Sequence, residues 1–229
     1  MASRAAAVVG LFDAIRRGDA LAVETSIGTD PGLLRARDRD GSSIVVAALR
    51  AGGVPLAEHL AAKLDETEEG LDIFDAAAVG NAAAIRKLLA EDRGDVDGRG
   101  LDGYSPLHLA AEFGQLEVAR LLLGRGADPN AVSMNELRAT PLHSAISGGH
   151  RDTASLLLAL GASPNAIQRA GVGALHLAAH RGDEAIVDML LLRAADATRT
   201  TDEGKTPADL AQEIGHSALA RVLKTAAKR

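Results

Sequence analysis

The sequence predicts an all-α solenoid of stacked helix-turn-helix units with short β-turn fingers, and three observations carry the prediction. First, Ser105-Pro106-Leu107-His108 is echoed by Thr140-Pro141-Leu142-His143, Gly173-Ala174-Leu175-His176 and Thr206-Pro207-Ala208-Asp209, so the fourth positions advance by 35, 33 and 33 residues. A period of this size marks units too small to bury an apolar face alone, which stack to do so. Second, the residues after each echo repeat too. Gly114, Leu121-Leu122-Leu123 and Gly126-Ala127-Asp128-Pro129-Asn130 are matched by Gly149, Leu156-Leu157-Leu158 and Gly161-Ala162-Ser163-Pro164-Asn165, then by Gly182, Leu190-Leu191-Leu192 and Ala195-Asp196. Third, 47% of the 229 residues are hydrophobic but only 2% are aromatic, as suits helix pairs packed on alanine and leucine.

Each element of the unit has a physical cause. Ser105, Thr140 and Thr206 suit the N-cap, where a hydroxyl accepts from a free N–H of the first turn. The proline beside each needs no donor and has its φ preset for helix entry. Gly114, Gly149, Gly182 and Gly215 sit where the first helix stops and the chain reverses, a place for positive φ. The leucine runs give the second helix an apolar stripe toward its neighbours. Last, the segment from Thr206 to Arg229 exchanges apolar for polar positions and ends in cations, as a capping unit requires.

Weaker copies precede these. Asp40-Gly41-Ser42-Ser43 through Gly52 aligns with Asp102-Gly103-Tyr104-Ser105 through Gly114 at an offset of 62, and the same offset carries Phe12-Asp13-Ala14 and Gly18 onto Phe74-Asp75-Ala76 and Gly80. The first two units thus read as a diverged copy of the third and fourth. About seven units are expected in one domain over 1–229: 10–38, 39–70, 71–100, 101–134, 135–167, 168–200 and 201–229. The amino-terminal pair should be the less firmly held, since Ser43-Ile44 lacks the proline and no hydroxyl precedes Leu11. Two stretches depart from the pattern. Met134-Asn135-Glu136-Leu137-Arg138 lengthens one turn by two residues, for which a conformation of its own is expected. The acidic stretch from Lys63 to Gly70 lacks the usual ending, and reads as a hinge, a seam or a plain solvated connector.

On these residues the chain is identified as resembling the ankyrin repeat family, whose unit is a turn plus two antiparallel helices. In that family Arg138 stands where glycine is usual, and His150 and His216 follow the turn glycine where histidine is common. The resemblance implies a non-catalytic protein-protein interaction scaffold. Its unidentified protein partner would lie across a concave face made of turn tips and first-helix surfaces.

Composition and motifs narrow the alternatives. A net charge of −6 opposes binding to a phosphate backbone. Absence of cysteine rules out a disulfide framework and fits a reducing compartment; a cytoplasmic location is expected, and separately a monomeric state. Alanine and arginine richness points to a bacterial GC-rich genome. The run from Ala5 to Phe12 after Arg4 is too short for a secretory signal and is already repeat sequence. No stretch approaches the ~18 apolar residues of a membrane span. His108, His143 and His176 cannot share a metal, because packed helices lie ~8–10 Å apart whereas zinc ligands converge at ~2 Å. Each is expected to bond backbone or a capping hydroxyl instead. No nucleophile, base and orienting group cluster in the sequence. Neither an enzyme nor a cofactor or metal is therefore expected.

Carrying the family's concave face onto this sequence gives the candidate contact residues Arg16, Arg17, Arg39, Arg50, Leu101, Asp102, Tyr104, Glu112, Phe113, Glu136, Leu137, Arg169, His180 and Arg181, with Ser147, Asp202, Glu203, Lys205 and Glu213 beside them. Tyr104 and Phe113 are expected to face outward and to anchor a partner, or, for Phe113, to cover the adjacent unit. Arginines early and carboxylates late suggest a charge gradient that orients the partner; ordinary solvated charge is the other reading. A regulator or inhibitor dedicated to one enzyme, and a small-molecule sensor, are the alternative functions.

Overall fold

Short apolar segments between glycine turns can form only short helices, and the computed structural model, which describes residues 4–228, is built of them. Among the described residues there are fourteen α-helices and no β-strand. The fold is therefore all-α, as predicted. The helices run in consecutive pairs: α1 (Arg4–Arg16) and α2 (Ala20–Thr29), α3 (Ile44–Arg50) and α4 (Val54–Asp65), α5 (Ile73–Val79) and α6 (Ala82–Ala90), α7 (Pro106–Glu112) and α8 (Leu116–Gly124), α9 (Pro141–Gly148) and α10 (Arg151–Ala159), α11 (Ala174–Arg181) and α12 (Glu184–Leu192), α13 (Pro207–Glu213) and α14 (Ser217–Ala226).

Two compact units divide the chain, Met1–Pro106 and Leu107–Arg229. In the first, α1 packs on α3 and α3 on α5, with α2, α4 and α6 as their partners. In the second, α9 packs on α11 and α11 on α13, while α8 packs on α10 and α10 on α12. Each unit thus has an inner and an outer row of helices. Leu60, Ile85, Leu122, Leu157 and Leu190 of the outer helices are all fully buried, so the apolar stripe faces the stack as the pattern requires.

Connections within a pair are tight. Gly149 and Gly182 end α9 and α11 at φ of 81° and 68°, and in each case the outer helix starts two residues later. Asp19, Asn81 and Asp183 cap α2, α6 and α12 by accepting from Ala22, Ala84 and Ile186, a second row of caps just after each glycine. Two details of the amino-terminal pair differ from the pattern read in the sequence. Helix α1 begins at Arg4 rather than near Leu11, and the Ser43 hydroxyl caps α3 without a proline, accepting from Val46 N–H at 3.0 Å.

Connections between pairs project as fingers of fourteen to sixteen residues, except for residues 66–72, where only seven join α4 to α5. That short connector is pinned rather than hinged. Arg35 donates to Gly70 O and Thr67 Oγ1 at 2.8 and 3.0 Å and pairs with Glu69 at 3.1 Å. Elsewhere the finger bases close as minimal antiparallel bridges, Arg37 with Ser43 and Ile167 with Gly173.

Candidate functional site

The repeated histidines pin the turns at the start of their helices, and His108 and His176 also join one pair to the next. His143 Nδ1 accepts from Thr140 N–H at 3.1 Å and lies 2.8 Å from Thr140 Oγ1; His176 Nδ1 accepts from Gly173 N–H at 3.1 Å, where no hydroxyl exists. Spending Nδ1 as an acceptor leaves the proton on Nε2. That nitrogen donates to the next finger: His108 to Ala139 O at 2.9 Å and His176 to Lys205 O at 3.2 Å. Burial lowers the His143 pKa to about 4, against a smaller opposing pull from the Ala166 carbonyl, and lowers that of His176 as well. Both rings are neutral structural pins, as the sequence implies.

Asp75 takes the same helix position in α5, with a carboxyl group in place of the imidazole. Its buried carboxylate instead accepts from the Ser43 hydroxyl of the preceding inner helix and lies 4.0 Å from Arg37, which also pairs with Asp72 at 3.1 Å. Burial, reinforced by the neighbouring Asp72 charge, raises the Asp75 pKa to about 7.

Loss of the finger before α5 changes what the neighbouring fingers touch. The turn at Leu101-Asp102 reaches across the gap and abuts Gly41, at φ 83°, where a Cβ would collide with the Leu101 carbonyl. Arg50 closes this clasp. It lies 5.4 Å from the Tyr104 ring centroid, 3.6 Å from Asp102, and donates to Ser42 Oγ at 2.5 Å. Tyr104 and Asp102 are accordingly 9% and 8% exposed. The expectation that they face outward is corrected here: a missing finger lets the later turn fold inward onto α3. The same turn leaves Leu101 79% exposed.

The other candidates divide into committed and free groups. Arg16 is exposed but pairs with Asp13 at 2.7 Å; Arg17 and Arg39 are exposed with no ion pair among the described residues. Glu112 gives its carbonyl to His150 Nε2 at 2.9 Å, and Phe113 is half-buried. Arg181 donates to Ser147 O at 2.7 Å, a carbonyl at the end of α9, while His180 is exposed. Glu136 pairs with Arg169 at 2.6 Å. Lys205 joins Glu213 and Glu203 at 2.9 and 3.6 Å, so those carboxylates share a cation.

In the second unit successive fingers are laced by backbone. Arg169 N–H donates to Leu137 O at 2.8 Å and Asp202 N–H to Ala170 O at 2.9 Å. The lengthened finger does not adopt a turn of its own. Arg138 N–H closes on Asn135 O as Gly103 N–H closes on Gly100 O, and Arg138 takes φ 50°, the left-handed region used by Gly41, Gly103 and Gly204. Its side chain and those of Met134 and Leu137 are exposed, Met134 by 79%.

Two contacts escaped the sequence reading. Asn130 and Asn165 each bridge to the next unit, donating to Gly161 O and Ala194 O and accepting from Ser163 and Asp196 N–H; their recurrence 35 residues apart was the signal. His59, outside the repeat pattern, bonds Glu24 at 2.8 Å beside Lys63 at 3.0 Å, tying α4 to α2. No helix among the described residues is long and apolar enough to cross a membrane.

Comparison with known proteins agrees with this architecture. Family models for ankyrin repeats match residues 46–133, 73–168 and 152–191. The chain is similar to ankyrin repeat and SOCS box protein 3 of Bos taurus, 36% identical over 73% of this chain and 33% of that protein. It is 41% identical to ankyrin repeat and SAM domain-containing protein 6 of Danio rerio over 28% of this chain and 9% of the relative. Against palmitoyltransferase akr1 of Schizosaccharomyces pombe it is 42% identical over 59% of this chain and 21% of the relative. The chain therefore spans a third or less of the length of these relatives. With matched models covering more than half of it and histidine pins and glycine turns recurring at the matched period, the chain belongs to the ankyrin repeat family.

Proposed function

We propose that the chain is a non-catalytic binding module, working as a monomer in the cytoplasm, whose second unit receives a protein partner on its finger tips and inner-helix ends. Ankyrin repeats generally mediate protein-protein interaction, and the observation that carries the reading to a place is Arg138. A non-glycine residue in the left-handed region costs roughly 1–2 kcal/mol, and glycine stands at the equivalent turn of other fingers. The arginine side chain is exposed and enters no ion pair among the described residues, beside exposed Leu137 in the finger that also carries the Glu136–Arg169 pair. Strain retained at an exposed tip supports a role outside folding.

The contact surface of this reading comprises Met134, Leu137 and Arg138 as the centre, with Arg169, His180 and Phe113 around it. An aliphatic centre with charged flanks is the composition of a protein interface. The reading is tested by affinity capture from cell extract with mass spectrometry, comparing the native chain with Leu137→Asp and Arg138→Gly. Loss of the same protein from both captures supports it, and undiminished capture by both overturns it. One partner recovered in equal amount identifies a dedicated regulator of that partner; several identify a scaffold.

A further inference from the structure

A separate opening lies wholly within the first unit. Helix α1 and the finger at residues 37–40 enclose an open pocket of about 550 Å³, floored by Val8, Val9 and Phe12. Val9 remains exposed there despite being apolar. Polar groups line the rest, and the charges already spent decide what fits. Asp13 holds Arg16 at 2.7 Å. Arg37 is turned to Asp72 at 3.1 Å. Asp38 Oδ1 accepts the N–H groups of Asp40 and Ser42 at 3.0 and 2.9 Å. Arg39 and Asp40 alone on this rim are exposed without a hydrogen bond or ion pair from their side chains among the described residues.

An apolar floor beside an unspent guanidinium recognises an apolar group joined to an anion. The single free carboxylate of Asp40, with Asp13 and Asp38 close behind, repels a run of negative charge, so one anionic group is accommodated and several are not. A volume of this size holds two or three side chains. Resting on the protein-binding reading, we propose that this pocket binds a partner segment in which aliphatic side chains are followed by a single carboxylate, the aliphatic part on Val8 and Val9 and the carboxylate on Arg39.

Three peptides test this on the full chain: acetyl-Gly-Leu-Leu-Glu-Gly-amide and its counterparts with Gln or Lys in place of Glu, titrated while methyl and amide resonances are followed by NMR. The Glu peptide should shift the Val8 and Val9 methyls and the Arg39 amide, with affinity about tenfold above the other two, the scale of one charge-assisted contact. Arg39→Glu should invert the preference toward the Lys peptide, and Val9→Asp should abolish binding. Both residues are exposed, so the variants fold, and Glu58→Lys, exposed on α4 and outside the pocket lining, should change nothing. Equal affinity for the Glu and Gln peptides, shifts confined to other surfaces, or no shift at millimolar peptide overturns the proposal. Partner capture that still depends on Leu137 would then leave the wider reading intact, whereas pocket binding with capture indifferent to Leu137 would remove the finger site alone.

Discussion

Arg138 separates what the stack needs from what it merely tolerates. Relieving its backbone strain with Arg138→Gly should raise unfolding free energy by about 1 kcal/mol in denaturant titration, while weakening partner capture. No gain in stability would mean that the arginine makes a compensating contact. His143 presents the opposite balance. His143→Ala should cost about 1–3 kcal/mol, because Thr140 N–H loses its acceptor in a buried site. An unaltered melting temperature would refute the pin. The sign of the pH effect comes from the direction of its shift. With a folded pKa of about 4, below the ordinary 6.5, the stability this ring contributes is complete above pH 6.5 and is lost as pH falls toward 4. Asp75 has the reverse sign. Its pKa is raised to about 7 from 3.8, so its contribution is greatest below pH 3.8 and is lost as pH rises through 7; Asp75→Asn should flatten that slope.

Among the elements, the clasp over α5 yields the sharpest contrast. Tyr104→Ala should destabilise by about 2–4 kcal/mol, as removal of a buried ring does, and Arg50→Ala by about 0.5–1 kcal/mol through the lost cation–π contact. Phe113→Ala, at a half-buried position, should cost less than Tyr104→Ala in the same thermal unfolding series; the reverse order would put Tyr104 back on the surface. Helix pairs, their glycine stops and the role of the histidines were legible in the sequence because each repeats with the period, and a repeated residue answers to the stack. Tyr104 misled because its environment depends on a contact across a skipped unit, which periodicity does not encode. The caps at Asp19 and Asp183 went unread although Asp after a turn glycine is their signal. The finger was readable as an insertion, yet its left-handed turn was not, since nothing in an arginine announces positive φ.

At the scale of the whole chain, the two compact units carry titrating groups of opposite sign. Acidification from pH 7.5 to pH 5 protonates Asp75 within the first unit, which should gain stability, and approaches protonation of His143 within the second, which should lose it, with His176, its pKa also lowered by burial, acting in the same direction. Hydrogen exchange resolved by residue should therefore show protection rising in 35–80 and falling in 139–180 over that range. A parallel change in both would show that other groups dominate.

The clasp also bears on how such a chain can change its length. Arrays whose contacts are strictly between neighbours can be lengthened or shortened by copying or deleting whole units, because every junction resembles every other. Helices α5 and α6 break that rule. The turn at Leu101-Asp102 meets Gly41 only because one short connector intervenes, so a second copy of α5 and α6 inserted in tandem would carry Tyr104 and Asp102 a full repeat away from Arg50. Duplication of α5 and α6 alone should therefore disrupt the clasp, whereas α9 to α12, joined by the same backbone lacing at both finger junctions of the second unit, present junctions that a copied pair can repeat.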